Sequence, residues 1–312
     1  MAHYLDPKND LTFKRVFGEH KHLCMSLISS MLPLEKPIVN IEYQSGELIP
    51  ELDMLRNTIV DVRCTDSDGR QFLVEMQLFW YEIFKKRVLF NASIAYVMQL
   101  DRAEKIKLLQ PVYSLNFVNE NFEKSPEKRN EYYHHYKIVN IRDTEQRIEG
   151  LEFIFIELPK FTPLNRAEKK LHELWLRFLT EINESTERIP EELMENEYIR
   201  EAVSYMERGA YTKEQLATYD KWKIDQMTAR GMLEEAEEKG EAKGRAEGEA
   251  KGRAEGEAKG RAEGVLEGEI KNQQKIVIQA SQAGLPIETI SVITHLTHEE
   301  IGTILSLKTL SL

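Results

Sequence analysis

Residues 241–264 spell Glu-Ala-Lys-Gly-Arg-Ala-Glu-Gly three times without a change, and no other stretch of the 312-residue chain limits its own folding so severely. Every second residue is charged and those between are only Ala or Gly, so the segment has no side chains with which to build a core. The alternation would suit a strand, yet charged residues four apart are always opposite in sign, as in Glu241 with Arg245 and Lys243 with Glu247, which favours a helix. Ten such pairs contribute roughly 2–5 kcal/mol, while six helical glycines cost roughly 5–6 kcal/mol. An isolated helix here is marginal. The segment therefore reads either as a solvated spacer, helical part of the time, or as an element that pairs with a second copy through its small residues, which leaves a homo-oligomer open.

The repeat divides the chain into an expected α/β domain over 1–162, a helical region over 163–238, the charged Gly/Ala linker over 239–268 and a small helical tail over 269–312. The tail has apolar periodicity broken at Gly284-Leu285-Pro286, and Thr297 with Glu300 forms a capping box. Its outline is that of a helix-turn-helix. Its last helix, however, opens with Glu299 and Glu300 rather than basic residues, so a packing or dimerisation unit fits better than DNA readout.

Hydrophobic residues make up 41% of the chain, enough for a packed core, and this excludes disorder or a coiled-coil rod as a global description. No run approaches the roughly 18 apolar residues of a membrane helix, and the opening Met1-Ala2-His3-Tyr4-Leu5-Asp6 lacks a signal pattern. Cys24 and Cys64 are too few for a disulfide framework; a reducing cytoplasm is the expected setting. The net charge is −11, yet residues 1–118 carry 14 Lys or Arg against 15 Asp or Glu, which leaves room for a local basic surface there.

Along the first region, Asp10 to Leu32 has helical spacing with a break at Gly18, Ile38 to Ile49 reads as a weak strand, and Thr58–Thr65 and Arg70–Phe79 read as a hairpin. Glu82–Gln99 is helical, Pro111–Val118 a strand, and further strands are expected over Tyr132–Ile141 and Leu151–Leu158. Helices follow over 166–184, 190–208 and 212–238. This order predicts an α/β fold with a mixed sheet flanked by helices.

The hairpin concentrates the chemistry. With a three-residue loop Ser67-Asp68-Gly69, in which Gly69 supplies the left-handed position, paired positions sum to 136 and Asp61 lies opposite Glu75. Two carboxylates would then meet on one face, which is unfavourable unless a proton or a cation resolves the repulsion. The alternative is that both lie on a solvated face. Their settings, Thr58-Ile59-Val60-Asp61-Val62 and Phe72-Leu73-Val74-Glu75-Met76, are apolar enough to suggest a strand covered on both faces, where an unpartnered carboxylate is costly. Oxygen donors alone select a hard divalent cation, Mg²⁺ or Mn²⁺. There is no Gly-Lys-Ser/Thr phosphate loop, no metal-spaced Cys cluster and no Ser elbow, so no nucleotide cofactor is expected. Adjacent His134 and His135 face opposite ways on a strand and make a poor metal pair.

Asp61, then Glu75-Met76-Gln77 after thirteen residues, between a helix with Asp10-Leu11-Thr12-Phe13-Lys14 and one with Arg87 and Tyr96, resembles the PD-(D/E)XK nuclease superfamily. More closely, the chain is similar to the recombination-promoting nucleases, or PD-(D/E)XK nuclease-family transposases, over about residues 4–160 and in its Glu/Gly-rich linker and tail. The resemblance implies a restriction-endonuclease-like fold and a Mg²⁺-dependent DNA endonuclease. Asp61 and Glu75 would be metal ligands, the Met76 main-chain carbonyl a third, and Asp10 an outer-shell or second-metal carboxylate. Gln77 stands where the superfamily usually has Lys, although this family often has Gln; it can orient water but brings no positive charge. Lys14, Lys85, Lys86 and Arg87 are the candidate DNA-binding residues. For Lys14 a salt bridge to Asp10 competes, and for Lys85 and Lys86 a solvated helix face. Arg87 and Tyr96, nine residues apart, fall on opposite sides of a helix. The rival from another class is a DNA-binding or protein-interaction module with a vestigial nuclease site.

Overall fold

The computed structural model describes residues 3–47, 60–100, 109–163 and 170–309. The described chain forms two compact units, one ending at Arg230 and the other beginning at Gly231.

In the first unit, Asn9 caps a short helix, α1 (Asp10–Phe13), by accepting the Leu11 N–H through its side chain. A π-turn over Lys14–Gly18 and a break at Glu19 and His20 separate α1 from α2 (Lys21–Met31), as the glycine had indicated. Six strands follow: β1 (Ile41–Tyr43), β2 (Val62–Asp66), β3 (Gln71–Gln77), β4 (Val112–Val118), β5 (Tyr133–Asn140) and β6 (Asp143–Glu157). They form one sheet in the order β1-β2-β3-β4-β6-β5. The β3–β4 and β4–β6 pairs are parallel and the others antiparallel. The crossover from β3 to β4 carries α3 (Glu82–Val97), as a parallel connection requires.

The expected strands are present with shifted ends. Of the expected Ile38–Ile49 strand, residues 48 and 49 lie outside the described residues and the described part pairs over Ile41–Tyr43, while β6 begins eight residues before Leu151 as a largely exposed extension paired with β5. Of the expected Thr58–Thr65 strand, residues 58 and 59 lie outside the described residues, and Val60 and Asp61 precede the ladder rather than joining it.

The sheet is covered on both faces. One face packs on α1, the π-turn and α2, with Phe13, Phe17, Leu27, Phe72, Val74, Leu115 and Phe117 buried together. The same core includes Trp175, Phe178 and Leu179 of α4 (Leu171–Glu181) and Ile199 and Val203 of α6 (Glu197–Ser204). Between these helices lies a single turn, α5 (Glu191–Met194). The other face packs on α3 through Leu73, Ala92, Ala95 and Val112. Five successive residues, Gln71 to Glu75, are buried, as in a strand with no wet side. Both cysteines are free thiols in this core.

Helix α7 (Lys213–Gln282) opens with a capping box, in which Thr212 Oγ1 accepts from the Gln215 N–H and Gln215 Oε1 from the Thr212 N–H. Its first turns belong to the first unit, where Leu216 and Tyr219 pack on Leu5 and Tyr211. The second unit holds the repeat, which is helical over its whole length. Lys243–Glu247, Lys251–Glu255 and Lys259–Glu263 approach to 3.8 Å, all strongly exposed. After Gly284, whose φ of +80° needs glycine, come α8 (Ile287–Thr294) and α9 (His298–Thr309). Val277, Ile290 and Ile301 form a small core, and the Thr297–Glu300 capping box is made in both directions. No helix among the described residues is long and apolar enough to cross a membrane.

Candidate active site

The hairpin register sets the site. Val62, Arg63, Cys64 and Thr65 pair with Val74, Leu73, Phe72 and Gln71, so paired numbers sum to 136, and Gly69 at the loop end has φ +86°. Asp66 fixes the turn: its Oδ1 accepts the Asp68 and Arg70 N–H groups, and its Oδ2 lies 2.7 Å from Arg70 Nε. Asp61 stands one step beyond the last ladder pair. Its Oδ2 accepts the Met76 N–H at 2.7 Å, so a carboxylate takes the place a partner carbonyl would have held.

Ladder parity then fixes the Met76 carbonyl. The Asp66 N–H bonds to the Arg70 carbonyl, so even-numbered residues of β3 turn their backbone groups toward β2. Odd-numbered ones turn toward β4, as the bond from Asn119 N–H to the Gln77 carbonyl shows. Met76 therefore directs both its N–H and its C=O to the edge that Asp61 occupies.

Glu75 projects under α3 and is only 4% exposed. Arg87 Nη2 lies 3.3 Å from Glu75 Oε2 and 2.8 Å from Gln77 Oε1, so one guanidinium spans both side chains. Asn91, one helical turn further and fully buried, points Nδ2 at Glu75 Oε1 at 3.4 Å, while its own Oδ1 has no partner. Gln77 Nε2 donates to the Phe79 carbonyl. Burial pushes Glu75 up to about 7, with the Asp61 charge adding to the rise against the opposing pull of Arg87. Burial likewise pushes Asp61 up to about 6, partly countered by the Met76 N–H and Lys14, while Asp10 adds to the rise.

Lys14 forms the salt bridge with Asp10 that its spacing allowed, at 2.7 Å, and also stands 4.0 Å from Asp61 Oδ1. It thus joins Asp10 to the carboxylate site. Lys85 lies elsewhere, its Nζ 5.2 Å from the Trp80 ring and 5.0 Å from Phe122. Lys86 is exposed on α3. Tyr96 packs at Gly150 and not at the carboxylates, as its helical phase required. His134 and His135 diverge, one to Glu157 and the other to Glu152, each at 2.7 Å.

Sequence reasoning passed over Asn91. Its signal is present: Arg87 and Asn91 are four apart on the helix face that Phe84, Val88 and Ala95 bury, and a fully buried Asn there needs a polar counterpart on the sheet.

Among the described residues no three His, Cys, Asp or Glu side chains converge on one point. The site offers a buried carboxylate, Glu75, and a half-buried one, Asp61, both destabilised as anions, beside a directed main-chain carbonyl. That all-oxygen set fits a hard divalent cation, whose charge would offset the repulsion between them.

No curated protein and no solved structure matches the chain. The family model described as PD-(D/E)XK nuclease family transposase matches residues 7–235, which span the sheet, the carboxylates and the helices behind them. The chain therefore belongs to the PD-(D/E)XK nuclease family transposases, with the restriction-endonuclease-like α/β fold expected of them.

Proposed function

We propose that this protein is a Mg²⁺-dependent DNA endonuclease that hydrolyses phosphodiester bonds at the Asp61–Glu75 edge of the sheet, Mn²⁺ being able to replace Mg²⁺. The observation that carries the reading is the pair of carboxylates, Glu75 buried and Asp61 half-buried, held beside the Met76 carbonyl, an oxygen-only set that is unfavourable without a cation. Asp61, Glu75 and the Met76 carbonyl would hold the metal, and Asp10 would stand in its outer shell, paired with Lys14, which also approaches Asp61. When bound, such an ion lowers the pKa of a water and draws charge from a phosphate oxygen. The chain's own residues supply orientation. Arg87 fixes Glu75 and Gln77 together, and the second Nε2 hydrogen of Gln77 is available to a nucleophilic water. Positive charge for the developing phosphorane comes from Lys14 and Arg87 rather than from position 77. Lys85 and Lys86 extend the cationic surface along α3 toward DNA.

The test is nicking of supercoiled plasmid with Mg²⁺, Mn²⁺, Ca²⁺ or EDTA, run beside Asp61→Ala and Asp61→Asn. Nicking that requires Mg²⁺ or Mn²⁺ and disappears in both variants supports the reading. Equal activity in wild type and variants signals a contaminant. No cleavage of either double- or single-stranded DNA by folded wild type transfers the assignment to a binding module with a vestigial site.

A further inference from the structure

Beside the carboxylates lies an aromatic surface that the proposed chemistry does not use. Trp80 and Phe122 stack, with ring centroids 4.2 Å apart and planes 21° from parallel. Phe84 and Phe155 support Trp80 edge-on at 5.9 and 6.3 Å. The stacked pair is only half-buried, whereas Phe84 and Phe155 behind it are core residues. Tyr136, 44% exposed, meets Phe155 at 5.7 Å and continues the surface. Lys85 Nζ stands 5.2, 5.0 and 6.0 Å from the centroids of Trp80, Phe122 and Tyr136.

This surface is held rigidly. The Phe122 N–H donates to Glu157 Oε2 at 2.8 Å, and the fully buried Glu157 also accepts from Lys160 at 2.8 Å and pairs with His134 at 2.7 Å. The Trp80 N–H donates to the Glu120 carboxylate. A buried ionic knot thus fixes the loop that presents one ring, and a carboxylate fixes the backbone that presents the other. The surface also adjoins the carboxylate site: Gln77 donates to the carbonyl of Phe79, one residue before Trp80, and Arg87 lies 4.9 Å from the ring of Phe84, which supports Trp80.

We propose that Trp80, Phe122 and Tyr136, with Lys85, form a stacking subsite for an unpaired base of single-stranded DNA whose backbone continues to Asp61 and Glu75. The proposal rests on the nuclease reading and narrows it to DNA with unpaired nucleotides beside the scissile phosphate. The exposed ring of Tyr136 and the outer side of the Trp80–Phe122 stack can receive any base, and Lys85, beside all three rings, meets the adjoining phosphate. A duplex keeps its base faces against one another and cannot use such a surface.

The experiment uses the full chain carrying Trp222→Phe, so that Trp80 is the accessible tryptophan, Trp175 being fully buried. Oligothymidylate and a hairpin duplex are titrated in EDTA, with tryptophan emission and the anisotropy of labelled DNA followed together. Oligothymidylate should quench Trp80 and the duplex should not. Trp80→Ala should weaken single-strand binding roughly 5- to 150-fold and leave duplex binding unchanged. If that variant does not fold, Phe122→Leu and the quenching itself carry the test. Oligothymidylate that fails to bind, binds without quenching, or loses affinity in parallel with the duplex overturns the subsite. Quenching by a protein that never nicks DNA overturns the nuclease reading and leaves the subsite standing.

Discussion

Replacing Glu75 by Gln should stabilise the metal-free protein while removing its activity, and the size of the effect follows from where the carboxylate sits. Glu75 is 4% exposed, and burial raises it from an ordinary 4.5 to about 7. Between those values the folded state keeps a proton that the unfolded state releases, so stability falls as pH rises through that window. The penalty is absent below about 4.5 and complete above about 7. At 1.36 kcal/mol per pH unit it amounts to about 3 kcal/mol, with the Arg87 attraction already contained in the value of about 7. Asp61 contributes with the same sign between 3.8 and about 6. Glu75→Gln keeps the shape and an oxygen acceptor for Arg87 or Asn91 but cannot ionise. Urea denaturation in EDTA from pH 4.5 to 8, followed by tryptophan emission, should show variant and wild type equal at the acid end. By pH 8 the variant should be about 3 kcal/mol more stable. Adding Mg²⁺ at pH 8 should then stabilise wild type, by about 2.7 kcal/mol at a hundredfold excess over Kd, and leave the variant unmoved. A variant less stable than wild type at pH 8, or a difference independent of pH, would refute the claim that Glu75 is a destabilised buried anion.

Three further outcomes are expected. Asp61→Ala strands the Met76 N–H and should be about 1–3 kcal/mol less stable than Asp61→Asn, which retains an acceptor while both shed the same destabilised charge; equal denaturation midpoints for the two variants would contradict the role given to the Met76 bond. Arg87→Ala removes the cation that holds Glu75 down, so the acid limb of the cleavage profile should move to higher pH, and an unmoved limb would separate Arg87 from the carboxylate. The repeat glycines have open space where a Cβ would stand, so each of Gly248→Ala, Gly252→Ala and Gly256→Ala should strengthen the helix by about 0.8–1 kcal/mol; unchanged helical ellipticity on melting would show that something other than propensity holds it.

What the sequence disclosed was local. A single glycine, Gly69, fixed a three-residue loop and with it the register that brings Asp61 beside Glu75. The apolar run around Glu75 announced a strand covered on both faces. Other features depended on contacts between distant residues. Lys85 and Lys86 are indistinguishable as sequence, yet only Lys85 meets rings contributed by residues 80, 122 and 136. Asn91 becomes informative only once Glu75 is known to lie beneath it. The exposed start of β6 lacks hydrophobic alternation, because pairing with β5 rather than burial keeps it extended. The repeat is helical in spite of its glycines, the type of element that its opposite charges four apart had indicated.

The glutamine at position 77 is explained by the arginine on α3. Arg87 Nη2 lies 2.8 Å from Gln77 Oε1 and 3.3 Å from Glu75 Oε2, so an acceptor at position 77 completes a bridge that a lysine there would oppose. Two unit positive charges about 4 Å apart repel by about 4 kcal/mol at an effective dielectric near 20. With Arg87 34% exposed, solvent reduces this to on the order of 1 kcal/mol. Gln77→Lys alone should therefore displace Arg87 from Glu75 and lower cleavage, although it installs the residue usual in the superfamily. Gln77→Lys combined with Arg87→Gln removes the conflict and keeps one cation at the edge, so the double variant should cleave faster than Gln77→Lys. Single-turnover nicking rates for wild type, both single variants and the double variant form a thermodynamic cycle, and opposed substitutions should couple by about 1 kcal/mol or more. Additive effects would mean that Arg87 and residue 77 act independently, and that the positive charge supplied to the site does not come from α3.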